Sequence, residues 1–72
     1  MTEPIHITIK INGEPKPIAA ATTVTALVAQ LELTAQRLAI ELNRDILPRT
    51  QWGETRLNDG DKLEIVHFVG GG

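Results

Sequence analysis

The chain contains no cysteine. That absence excludes disulfide staples, thiolate metal sites and a cysteine nucleophile, and as a prior it favours a reducing, cytoplasmic setting. Aromatic residues are nearly missing too, with one Trp, one Phe and no Tyr, and there are only two His. No nucleophile and base pair can be assembled from such an inventory, so the expectation is not an enzyme: no catalytic residue, no metal site and no cofactor of its own. Excess positive charge is lacking, at a formal −2. Phosphate contacts need Lys and Arg in surplus, so a nucleic-acid partner is not expected. No apolar run approaches the ~20 residues of a membrane helix, so no membrane partner is expected either. Met1-Thr2-Glu3-Pro4 has neither the basic start nor the apolar core of a signal peptide. At 72 residues there is room for one small core and little else.

What is present is strongly patterned. Ile5, Ile7, Ile9 and Ile11 alternate with His6, Thr8 and Lys10, which predicts a strand over Ile5–Ile11 with one buried face. Asn12-Gly13 favours a two-residue type I′ turn, in which both central residues take positive φ. A returning strand over Glu14–Ile18 carries Pro15 and Pro17 at one parity, so both missing donors can face solvent on a sheet edge. Val24, Leu27, Val28 and Leu31 form a helical stripe. The helix is predicted over Val24–Glu32, with Thr23 as its cap.

Leu38, Ile40 and Leu42 mark a third strand, and Asn43-Arg44-Asp45 a turn. Ile46-Leu47-Pro48 reads as a short extended piece and Arg49–Gly53 as a single helical turn. Leu57 is assigned to the core. Asn58-Asp59-Gly60-Asp61 is a turn, with too few oxygen ligands for calcium. Lys62–Phe68 is the last strand, with Leu63 and Ile65 inward. The predicted core is Ile5, Ile7, Ile9, Ile11, Ile18, Val24, Leu27, Val28, Leu31, Leu38, Ile40, Leu42, Leu57, Leu63 and Ile65. One helical stripe must cover one sheet face. The expected fold is therefore α+β, a β-grasp (ubiquitin-like) roll in which a mixed sheet packs on one main helix.

After the last strand comes Val69-Gly70-Gly71-Gly72. Four extended residues span about 13 Å, and glycines can thread a narrow channel because they carry no side chain. The expected division is a β-grasp domain over 1–69 and a flexible glycine tail over 70–72. Gly72 is the candidate reacting residue through its carboxylate, and Gly70 and Gly71 give it access.

Val66 and Phe68 have outward parity and, with Val69 and Arg49, are the candidate partner-binding residues. Arg49 is open between a partner carboxylate and an internal pairing with Asp45 or Glu54. His67 is expected as a half-buried, hydrogen-bonded imidazole, His6 as a solvated sheet residue, and Trp52 as a local packing anchor.

The segments Ile9-Lys10-Ile11-Asn12-Gly13, Thr23 to Val28, Leu42 to Arg49 with Trp52, Asp59-Gly60-Asp61 and Glu64 to Gly72 resemble the ThiS family, the sulfur carriers of thiamine biosynthesis. The hairpin and helix segments resemble it only at the level of the fold. Pro48-Arg49…Trp52 and the Val66-to-Gly72 ending are the specific part, and the two-proline second strand departs from the pattern at an edge. The resemblance implies parallel pairing of the first and last strands at the sheet centre. It implies that an E1-like adenylating enzyme (ThiF-like) uses ATP and magnesium to adenylate Gly72, and that a sulfur relay converts the adenylate to a thiocarboxylate. Docking on thiazole synthase (ThiG-like) then delivers the sulfur. The rival readings are a carrier like the small subunit of molybdopterin synthase and a non-covalent ubiquitin-like interaction module.

Overall fold

The computed structural model describes residues 5–68. Its strands are β1 (His6–Ile11), β2 (Glu14–Ala19), β3 (Leu38–Leu42), β4 (Asp45–Ile46) and β5 (Lys62–His67), and its helix is α1 (Val24–Gln30). Single 3-10 turns occur at Ala35–Arg37 and Arg49–Gln51. The five strands form one mixed sheet in the order β2-β1-β5-β3-β4. β1 and β5 are parallel and the other pairs antiparallel. This is the expected β-grasp arrangement, with the last strand in the middle.

The β1–β2 hairpin turns at Asn12 and Gly13, both at positive φ (50° and 86°), as a type I′ turn requires. Pro15 lies opposite Lys10 and Pro17 opposite Thr8. Thr8 and Lys10 direct their backbone groups to the other side of β1: Gly60 N–H donates to the Thr8 carbonyl, and Lys10 N–H to that of Asp61. The prolines therefore occupy the non-bonded positions of the β1–β2 ladder. Their missing donors point out of the sheet edge, as the sequence suggested.

α1 is two residues shorter than its sequence suggests. Its start follows expectation, with Thr23 Oγ1 accepting from Ala26 N–H at 3.1 Å. The next orphan donors are met from the loop ahead of β5, Val24 N–H by the Thr55 carbonyl and Thr25 N–H by that of Trp52. At the other end Leu31 is the cap and Glu32 stands at φ 58°. Glu32 N–H donates to the Ala29 carbonyl and Leu33 N–H to that of Val28. This is a Schellman closure with glutamate where glycine is usual.

The core comprises Ile9, Ile18, Val24, Leu27, Val28, Leu38, Ile40, Trp52, Leu57 and Leu63. Ile7, Ile11, Leu31, Leu42 and Ile65 pack against it only partly buried. Ile5 must be corrected: it is 74% exposed and precedes β1. Its carbonyl accepts from Ala20 N–H, but the paired ladder begins one residue later, at His6. Trp52, absent from the predicted core list, is buried and donates its indole N–H to the Leu47 carbonyl at 3.0 Å. Ile46, expected in an extended piece, pairs with Glu41 in β4. The β3–β4 turn has Asn43 and Arg44 both at positive φ, so it too is a two-residue hairpin.

Two asparagines lock β5 in place. Asn12 accepts from Ile65 N–H through Oδ1 at 2.8 Å and donates to the Ile65 carbonyl through Nδ2 at 3.2 Å. Asn43 accepts from Lys62 N–H at 3.0 Å and donates to Asp61 Oδ1 at 3.0 Å. In Asn12→Ala, amide exchange at Ile65 is expected to accelerate, and urea unfolding to show a loss of about 1 kcal/mol. Unchanged exchange at Ile65 would dismiss the clamp. Glu32→Gly removes the Cβ from a left-handed position and should raise stability by about 0.5–1 kcal/mol on the same assay.

Candidate functional site

Strand alternation divides the sheet into two faces. Leu63 and Ile65 of β5, with Leu38 and Ile40 of β3, point to α1. Glu64 and Val66 point to the outer face, as do their ladder partners Glu41 and Ala39. Ile46 lies opposite Glu41 and joins that outer face. Val66 is 53% exposed, Phe68 55% and Ile46 77%. Three large apolar side chains exposed on a domain this small form the sort of patch that marks a contact surface.

Phe68 follows β5, but its backbone remains tied: its N–H donates to the Arg37 carbonyl at 2.8 Å. The fixed backbone thus reaches the residue before Val69. Val69, Gly70, Gly71 and Gly72, the candidate tail, lie outside the described residues.

Arg49 has internal work. Its Nη2 donates to the Leu38 carbonyl at 3.3 Å, and its guanidinium lies 5.6 Å from the centre of the Trp52 ring, a cation–π contact. The site of that bond explains it. Leu47 N–H reaches the Ile40 carbonyl, and two residues along β3 the Leu38 carbonyl faces the same edge, where β4 has ended. The guanidinium supplies the donor that a longer strand would have supplied. Among the described residues its contacts are this carbonyl and Trp52, rather than Asp45 or Glu54.

His67 departs from expectation. It shares the inward parity, but it is exposed, and no hydrogen bond of its ring occurs among the described residues. It borders an open groove of about 220 Å³ with Ile11, Leu31, Leu33, Leu38 and Ile65. The helical layer has thinned there because α1 stops at Gln30, so the imidazole finds no buried partner. His6 is exposed, as expected.

The turn ahead of β5 uses both carboxylates on backbone donors. Asp59 Oδ1 accepts from Thr8 N–H and Asp61 Oδ2 from Asn58 N–H, each at 2.8 Å. Among the described residues no group of three or more His, Asp or Glu could hold a metal, and no helix is long and apolar enough to cross a membrane.

The sequence reading missed Ile46 on the outer face. Its opposition to Glu41 depends on the two-residue Asn43-Arg44 hairpin, and positive φ at a non-glycine Arg44 has a weak sequence signature.

Comparison with known proteins agrees with this geometry. The ThiS family model matches residues 9–72. The chain is 33% identical to the sulfur carrier protein ThiS of Escherichia coli over 64 residues, covering 89% of this chain and 97% of that one. It is 45% identical over 62 residues to a thiazole synthase of Paramagnetospirillum magneticum, covering 86% of this chain but spanning only 19% of that protein's length. The crystal structure of a thiamine biosynthesis protein (ThiS) from Geobacter metallireducens superposes with a TM-score of 0.80 at 33% identity, covering 92% of this chain and all of that one. With the family model spanning nearly the whole chain and the fold shared at this identity, the chain belongs to the ThiS family.

Proposed function

We propose that the chain is a sulfur carrier of thiamine biosynthesis, that its reacting group is the Gly72 carboxylate, and that its partners carry out the chemistry. The family match running through residue 72 carries this reading, because it includes the glycine ending as well as the fold. The exposed Val66 on β5 and Phe68 directly after it, both beside that ending, support it.

The chemistry follows from what a carboxylate lacks. Its oxygens are poor leaving groups. An E1-like (ThiF-like) enzyme, with its own ATP and magnesium, lets a Gly72 oxygen attack the α-phosphorus and release pyrophosphate. A sulfide-level nucleophile then attacks the acyl-adenylate carbonyl, so that a C–S bond forms and the C–O bond to AMP breaks. The product is a thiocarboxylate, which a thiazole synthase (ThiG-like) consumes as its sulfur source. Residues of this chain bind and orient. The outer face around Val66 and Phe68 seats on the partner, and Gly70 and Gly71 offer a backbone without side chains to its channel.

Gly71→Val should fold as the parent does yet lose most ATP–pyrophosphate exchange with the cognate adenylating enzyme, since a branched side chain would obstruct the channel. Deleting Gly72 moves the carboxylate back by about 3.3–3.6 Å and should be at least as severe. Exchange at the parent rate by both variants would remove the tail from the chemistry. Phe68→Ala should weaken partner binding about tenfold or more while leaving the urea midpoint nearly unchanged. A buried phenylalanine would instead cost about 3–5 kcal/mol of stability.

A further inference from the structure

The β3–β5 register places Glu41 directly opposite Glu64. Both are exposed and both lie on the outer face. Asn43 N–H donates to the Lys62 carbonyl and Phe68 N–H to that of Arg37. Counting between these, Glu41 and Glu64 form a bonded pair of the antiparallel ladder, with Cα atoms about 5.5 Å apart. Like charges directly opposite one another on a sheet are unfavourable. Neither carboxylate accepts a hydrogen bond among the described residues. Lys62, in register with Lys10, stands in the neighbouring row, and it lines an open pocket with Arg44, Asn43 and Glu64, but none of these cations lies between the two carboxylates in the ladder.

The two carboxylates have apolar neighbours toward Phe68 and the β4 edge, and Asn43, Arg44 and Lys62 on the other side. Ile46 flanks Glu41 on one side, and Val66 and Ala39 form the next row toward Phe68. This is an anionic pair spanning β3 and β5, with exposed apolar side chains on the side toward the proposed reacting tail. A partner that places a cation between the two carboxylates relieves the repulsion, while Ile46, Val66 and Phe68 beside them offer it an apolar contact.

We propose that this outer face docks on the thiazole synthase partner, and that the synthase seats a cationic side chain, arginine or lysine, between Glu41 and Glu64, with Ile46 as an additional apolar contact. The proposal rests on the carrier reading above. The choice of synthase draws on the similar segment carried within the longer thiazole synthase chain of Paramagnetospirillum magneticum. Arginine suits the site because its planar fork can serve two carboxylates at once.

The test is titration of the fluorescently labelled full chain with the cognate thiazole synthase at 50 and 300 mM salt. The double variant Glu41→Gln, Glu64→Gln should bind about tenfold more weakly at low salt and lose most of the salt dependence. Its urea midpoint should equal or exceed the parent's. Glu14→Gln with Glu54→Gln removes the same charge from exposed positions elsewhere and should bind like the parent. A double variant at Glu41 and Glu64 with parental affinity and salt dependence would overturn the proposal while leaving the carrier reading intact. A parent chain that does not bind the synthase would overturn the partner reading itself. If the substitutions weaken only binding to the adenylating enzyme, or only self-association in sedimentation, the face serves that other occupant and the proposal is wrong.

Discussion

Everything that positions the candidate site depends on how β5 is held. Only Lys10 and Ile11 of β1 stand in register with it, opposite Lys62 and Leu63. Beyond them β1 turns away, and the Asn12 amide takes over by bonding both backbone groups of Ile65. On the other side the β3 ladder runs from Leu42–Leu63 to Leu38–His67, and Arg37 adds a bond to Phe68. A strand that looks short of support is thus bonded along both edges as far as Ile65 and along one edge as far as Phe68.

That arrangement separates two tasks across one sheet. The inner face carries the apolar burial, with Ile9, Ile40 and Leu63 packed under Val24 and Leu27. The outer face carries no share of the core and can be shaped by what it meets. Exposed Val66, Phe68 and Ile46, together with the Glu41–Glu64 opposition, add little to stability and in part oppose it. Such features conflict with local optimisation for folding, and conflicts of this kind are where function accumulates.

Much of this was legible in the sequence, for identifiable reasons. The isoleucine alternation, the α1 stripe and Asn12-Gly13 each obey a local rule, and they gave β1, the helix and the first hairpin. Val66 and Phe68 were placed outward by parity alone. The failures arose where the decisive contact is distant. Glu32 ends α1 through a left-handed closure that its side chain does not favour. Ile5 falls outside the ladder that begins at His6, and His67 borders an open groove beyond the end of α1. Arg49 found the Leu38 carbonyl because β4 is only two residues long. Asn12 was readable as a turn former, but its clamp on a residue 53 positions away was not.

The placement of β5 also has a kinetic meaning. It is the final element in chain order and the middle strand in space, so the contacts that complete the sheet join residues more than fifty positions apart toward β1 and more than twenty toward β3. Loop closure of that length must come before those contacts can repay it, which places folding among slower, topologically non-local domains. Until β5 inserts, β1 and β3 have no neighbour on their inner edges, and neither half can persist alone as a stable sheet. Presentation of the outer face and completion of the fold therefore become one cooperative event. A partner that reads Val66 and Phe68 together with Ile46 meets that surface assembled only when the whole domain has formed.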